Sequence, residues 1–388
     1  MSPIPVLGAA VRHEWGLDWS YLTVNHGAYG APPKAVIAAQ NEWRRQLESQ
    51  PGRFINDVLP GALRRVAARL GEFLGAEGND IAFVENATTG CNAVLRSIRF
   101  RPGDEIVTLS HGYGAVRNTV RYVCERTGAT MVDAVVPFPG PDAASLLANL
   151  LRALTPRTRL AVLDHITSSS ALVLPIKDMI DACHAAGVPV LVDGAHAPAQ
   201  ISLDLRALDA DWYVGNCHKW LMAPQGAAFL WARPDRQEDL HPVTISHGFH
   251  KGYLTEFDWT GTRDSSAFLA VETAIDFHHR LGGAKLRERN VALAAQGTDL
   301  LVRRLGTESG GSAAFFGSMG MIRLPIGGEY SHERAVVLRK LLRKLGTDAP
   351  IFAHESGLWL RISAQAYNEL GDYEKLAGLM ERAIQQPV

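Results

Sequence analysis

The stretch GNCHKWLMAPQG, residues 215–226, sets a lysine, Lys219, between a histidine and a tryptophan in mostly apolar company. A lysine on the surface keeps its charge and lays its stem on apolar neighbours. A desolvated lysine sheds its proton more readily and becomes a nucleophile. Asp193, in DGAHAP, stands 26 residues earlier. Thr88 and Thr89, in NATTGCNAVLRS, fall where a helix would begin, and the free amides and dipole of a helix N-terminus favour an anion. An amine that can lose its proton, a carboxylate and a phosphate cradle suit pyridoxal 5'-phosphate. Its aldehyde needs the amine, its ring nitrogen an anion to stay protonated, and its phosphate amide and hydroxyl donors.

Other chemistries lack their residues. There is no GxxxxGK[ST] for a nucleoside triphosphate and no GxGxxG after an early strand. Fourteen histidines raise the question of a metal, but none sits in an HExxH frame, and no metal is expected. The four cysteines, Cys91, Cys124, Cys183 and Cys217, are widely spaced and form no zinc or redox pair.

These residues need elements to hold them. Six short runs, DIAFVE (80–85), EIVTLS (105–110), TMVDAV (130–135), LAVLDH (160–165), PVLVDG (189–194) and DWYVGN (211–216), read as strands. Most are continuously apolar and β-branched, as strands covered on both faces are. Amphipathic helices alternate with them, one opened by Pro33 with Val36, Ala39, Trp43 and Leu47 on one face. The spacing predicts an α/β fold, a mainly parallel sheet with helices on both faces. Ligands bind beyond the carboxyl ends of such strands, where the polar residues collect. The texture changes near residue 285, and 286–388 reads as a smaller C-terminal α+β domain. Residues 1–285 form the large domain, with an N-terminal arm at 1–30.

A net charge of −1 supplies no basic field for nucleic acid. No apolar run reaches the roughly 18–20 residues that cross a bilayer, so no membrane partner is expected. The N-terminus lacks the pattern of a signal peptide, which makes the cytoplasm the expected location.

The chain resembles the class V aminotransferase family of fold-type I pyridoxal phosphate enzymes, from NHGAYG at 25–30 to RISAQAYN at 361–368. DGAHAP and HKW-x-x-x-P-x-G are the most specific pieces. SHGYGAV, DHITSSSALVLPI, NCHKWLMAPQG and WTGTRD are most like isopenicillin N epimerase-like proteins and related C–S lyases. The resemblance implies that Lys219 forms a Schiff base and then moves the α-proton. It implies that Asp193 faces the ring nitrogen, that His196 and Ser168 lie near the ring hydroxyl, and that Thr88, Thr89, Asn216 and His218 hold the phosphate. Tyr113 or His111 would stack on the ring and act as catalytic acid. Thr262 would reach the phosphate of a neighbouring subunit in a homodimer with shared active sites. Arg361 would clamp the substrate carboxylate, with Asn25 and His26 nearby. Each has a plainer reading: Arg361 pairing with a surface acid, His111 and His165 as core histidines, Asn25-His26-Gly27 as a turn.

The expected substrate is an amino acid or a cysteine conjugate, attacked at its α- or β-carbon. Elimination, as in a C–S lyase, and epimerisation stand ahead of transamination. Cysteine desulfurase chemistry wants a persulfide-forming cysteine on a C-terminal loop, and the last cysteine here is Cys217. A non-catalytic pyridoxal phosphate-binding protein would have no use for a carboxylate clamp.

Overall fold

The computed structural model describes residues 6–386, so the first five residues of the expected arm lie outside it. Seven strands form the main sheet: β1 (Ile81–Val84), β2 (Glu105–Leu109), β3 (Thr130–Ala134), β4 (Thr158–Asp164), β5 (Val190–Asp193), β6 (Trp212–Asn216) and β7 (Ala228–Ala232). Their order is β1-β7-β6-β5-β4-β2-β3. The pairs from β3 to β6 are parallel, and β7 runs antiparallel to both β6 and β1.

Alternation along the strands feeds two separate cores. Ile106, Leu160, Val162, Leu191 and Val214 pack with Val94, Val116 and Val120 on one face. Val107, Ala161, Leu163, Val190, Val192 and Tyr213 pack with Met179 and Ile180 on the other. Successive strand side chains point to opposite faces, so a continuous apolar run is what a sheet covered on both sides requires. The sequence shows only six of the strands. The seventh, AFLWA, lies 11 residues past the end of β6 with no helix in between. A parallel return needs a crossover of a dozen residues or more, so β7 can only come back antiparallel. The lysine loop fills that gap.

The second sheet is antiparallel, β8 (Met319–Arg323), β10 (Gly357–Ser363) and β9 (Ile351–His354), in the order β8-β10-β9. Helices Ala284–Leu305, His332–Lys344 and Leu370–Ile384 cover it, burying Leu338, Leu342, Leu360, Ile362, Tyr373 and Met380 together. Although the sequence groups the arm with the large domain, its segment near residue 24 packs on this smaller sheet. Val24 joins the same core, and its carbonyl accepts the Ser363 N–H at 2.8 Å. Among the described residues no helix is long and apolar enough to cross a membrane, and no cluster of His, Cys, Asp or Glu is placed to hold a metal.

Candidate active site

The carboxyl ends of β4, β5 and β6 open into one cleft of about 600 Å³. Thr88, Thr89, Tyr113, Ser168, Asp193, His196, Asn216, His218 and Lys219 all line it, so most of the candidate set converges. Asp164, which the sequence reading passes over in favour of His165, lines it too. His165 instead is buried against the Tyr213 hydroxyl, 2.8 Å from its Nδ1.

The helix Ala87–Ser97 aims its N-terminus at the cleft. Asn86 caps it by accepting the Thr89 N–H at 2.8 Å, and Asn216 Oδ1 accepts the Ala87 N–H at 2.8 Å. Asn216 therefore fixes the start of this helix. Among the described residues, the Thr88 hydroxyl and amide have no hydrogen-bond partner within the chain, which leaves both for an anion. His218 sends Nδ1 to the Ala227 carbonyl at 3.0 Å, and burial with the neighbouring Lys219 holds it down to about 4.

Lys219 is half-buried in the cleft wall, and desolvation drives its amine down to about 7, with Asp193 pulling the other way and Arg361 reinforcing the drop. The hydrogen bonds agree. Trp220 Nε1–H, which can only donate, faces His196 Nδ1 at 3.4 Å, while His196 Nε2 faces Lys219 Nζ at 3.1 Å. Burial keeps His196 neutral, so the proton sits on Nε2 and points at the lysine. That tautomer donates to the lysine nitrogen when the amine has lost its proton.

Two glycines admit this geometry. Gly30 (φ 70°) lies against the backbone of His218 and Lys219, where any Cβ would overlap the His218 carbonyl. A Cβ on Gly194, just after Asp193, would overlap the Tyr213 ring.

Arg361 is buried behind Ser168 rather than lining the cleft. One guanidinium nitrogen donates to the Ser168 carbonyl at 2.5 Å and the other to Asn25 Oδ1 at 3.3 Å, while Nε has no partner among the described residues. Asn25 in turn donates to Asp348 at 3.1 Å, and Arg339 and Arg343 hold that carboxylate at 2.9 and 2.8 Å. Burial and the nearby Arg339 bring Arg361 down to about 10, so it remains a cation at neutral pH.

The other candidates stand outside the cleft lining. His26 bonds the Tyr367 hydroxyl at 2.8 Å and the Lys219 carbonyl at 3.0 Å, so it props the lysine loop from behind. His111 bonds Ser170 at 2.9 Å, its ring 4.7 Å from that of His354, and burial holds it down to about 3. Thr262 is exposed. Of the two aromatic candidates, Tyr113 is the one at the cleft, and burial with Asp193 nearby pushes its phenol upward, keeping it protonated. Cys217, next to His218 and Lys219, is fully buried, as are Cys91 and Cys183.

The model of the family "Aminotransferase class-V" matches residues 30–340. A putative L-cysteine desulfhydrase of Oryza sativa is 34% identical, covering 96% of this chain and 84% of that protein. An isopenicillin N epimerase of Amycolatopsis lactamdurans is 32% identical over 95% of this chain and 96% of its own. Among solved structures, a mutant C-DES with glycine covalently linked to its pyridoxal phosphate cofactor superposes with a TM-score of 0.81. That match covers 97% of this chain and 99% of the other at 21% identity.

Proposed function

Since the chain belongs to the class V aminotransferase family, a family of pyridoxal phosphate-dependent enzymes, we propose that it is a C–S lyase that eliminates sulfur from cysteine or a cysteine conjugate, with Lys219 as its Schiff-base and proton-moving amine. The observation that carries this reading is Lys219, its amine drawn down to about 7 by burial, in one cleft with the buried Asp193. The residues fit the cofactor: Asp193 would face the ring nitrogen, Thr88, Thr89 and His218 would hold the phosphate, and Ser168 and His196 would lie near the ring hydroxyl. When bound, the cofactor supplies an electron sink for the substrate α-carbon.

The remaining work falls to side chains of this chain. Arg361, steadied by Asn25 and set just behind Ser168 at the cleft wall, would hold the substrate carboxylate. Lys219 takes the α-proton. Tyr113 gives its phenolic proton to the sulfur as the Cβ–S bond breaks, so the sulfur leaves as a neutral thiol or hydrogen sulfide. Hydrolysis of the remaining enamine yields pyruvate and ammonia. A persulfide relay is disfavoured because Cys217 is buried beside the lysine.

Epimerisation is the second reading, supported by the epimerase relative. It needs an acid on the face opposite Lys219, a part Tyr113 would have to play, since His111 lies off the cleft. The site is proposed to be completed in a homodimer through Thr262. The deciding experiment mixes cofactor-loaded protein with L-cysteine and S-substituted cysteines and follows sulfur product, pyruvate and ammonia, with Lys219→Ala as the blank. Release lost in the variant is the expected result. Release that persists there defeats the reading, and a cofactor band that shifts without release turns it toward epimerisation.

A further inference from the structure

Six carboxylates are buried among the described residues. Four have a basic side chain as hydrogen-bond partner: Glu105 has Arg157, Asp211 has Arg233, Arg236 and His184, Glu256 has the His241 imidazole, and Asp372 has Arg12. The two left without such a partner are neighbours. Asp164 and Asp193 stand in register at the ends of β4 and β5. Adjacent strands lie only about 4.8 Å apart and in-register side chains leave the same face, here into the cleft both residues line.

Their hydrogen bonds are few. Asp193 Oδ1 accepts the Ala195 N–H at 3.0 Å, and Asp164 Oδ1 accepts the Tyr113 N–H at 3.2 Å. Asp211 shows what this chain gathers round a buried anion: two guanidinium groups, an imidazole and the Val190 N–H. Nothing comparable surrounds Asp164. Two nearly buried carboxylates side by side resist ionising together, since each charge raises the cost of the other.

We propose that Asp164 works as a neutral carboxylic acid, its carbonyl oxygen accepting the Tyr113 N–H and its proton shared with Asp193, so that the two strand ends present one negative charge to the cleft. The other titratable groups around the pair are Lys219 and His196 on one side, Cys91 on the helix Ala87–Ser97, and Tyr113 and Arg117 at the start of the helix Gly114–Thr127. Arg117 is committed to Asp133 at 2.5 Å, and Lys219 is the amine already drawn toward neutrality. Burial and then the proximity of Asp193 push the Asp164 carboxyl well above its usual range.

A single charge is what a protonated ring nitrogen matches, and the neutral acid would seat the turn that carries Tyr113. That consequence rests on the proposed role of the cleft. The protonation state does not, and it is measured on the protein free of cofactor. Asp164→Asn keeps the acceptor for Tyr113 and removes the titration. Between pH 5 and 8 the unfolded wild type has released this proton (pKa about 3.9) while the folded protein keeps it. The wild-type unfolding constant, from urea titrations, is therefore expected to rise relative to that of the variant by up to tenfold per pH unit. A ratio that stays flat overturns the proposal. Should the variant not fold, the infrared spectrum of the wild type at pH 7.5 decides. A protonated-carboxyl C=O band that shifts in heavy water is expected, and its absence is refuting. Neither readout moves if the Lys219→Ala test defeats the lyase.

Discussion

If Lys219 titrates at about 7, roughly half of the protein molecules carry a free amine at neutral pH. An ordinary lysine near 10.4 offers about 0.04%. The perturbation is pH itself, applied to cofactor-free protein, and the assay is the initial rate of capture of added pyridoxal phosphate, followed by its absorbance. The rate is expected to climb about fivefold from pH 6 to 7, less than twofold from 7 to 8, and then level off. Asp193→Asn removes the charge that pulls the amine upward, so the plateau moves to lower pH. Stability carries the same signature. A lysine whose folded pKa lies below its unfolded one leaves the unfolded chain with the extra proton, so stability rises with pH from about 7 to 10.5. At pH 7 the burial costs on the order of 4 kcal/mol, and Lys219→Met should recover a large part of it. A capture rate that keeps rising tenfold per unit through pH 9 would refute the reasoning, because it would mean an amine that keeps its proton.

Tyr113→Phe removes the phenol while keeping the ring. Elimination is expected to slow by about 10²–10⁴-fold with cofactor affinity little changed, measured as kcat for pyruvate release beside a cofactor titration. Asn25→Ala cuts the link between Arg361 and Asp348; a lost hydrogen bond of roughly 1–1.5 kcal/mol predicts KM for the amino acid up about tenfold with kcat nearly held. His278, buried against Phe73 with neither ring nitrogen partnered among the described residues, is held down to about 3 by burial. The unfolded chain then binds the proton first, so stability falls as pH drops from about 6.5 toward 3. His278→Leu should remove that loss and add about 1–3 kcal/mol, read from urea midpoints at pH 5 and 7.

Much of the large domain was legible because burial on both faces of a parallel sheet leaves a plain mark: LAVLD and VLVD are strands by composition alone. β7 left no such mark, being a short run after the lysine loop, and neither did β9, IFAH, between turns. The site followed a similar division. Lys219, Asp193 and the threonines of the helix start are set by local chain and stand where strand ends must put them. What sequence does not carry is register. That Asp164 lies level with Asp193 depends on how β4 aligns against β5, and the run LAVLDH equally offers His165, one position on, whose side chain leaves by the other face into the core. His26 is the same lesson at longer range, since nothing near residue 26 announces that its ring supports the carbonyl of Lys219.

The junction at Arg361 imposes an order in time. Residues 86 to 219 supply the amine, the carboxylate and the helix start, and all of them leave the ribosome early. The partner of Asn25 at Arg361 lies 336 residues further along the chain. At roughly 5–20 residues per second, some 7–30 s of synthesis separate Lys219 from Arg361. Throughout that interval a nascent chain holds Lys219 and Asp193 without Arg361. Only when the last sheet closes over the arm can the Asn25–Arg361 junction form, so the C-terminal fifth of the chain is what completes this side of the cleft.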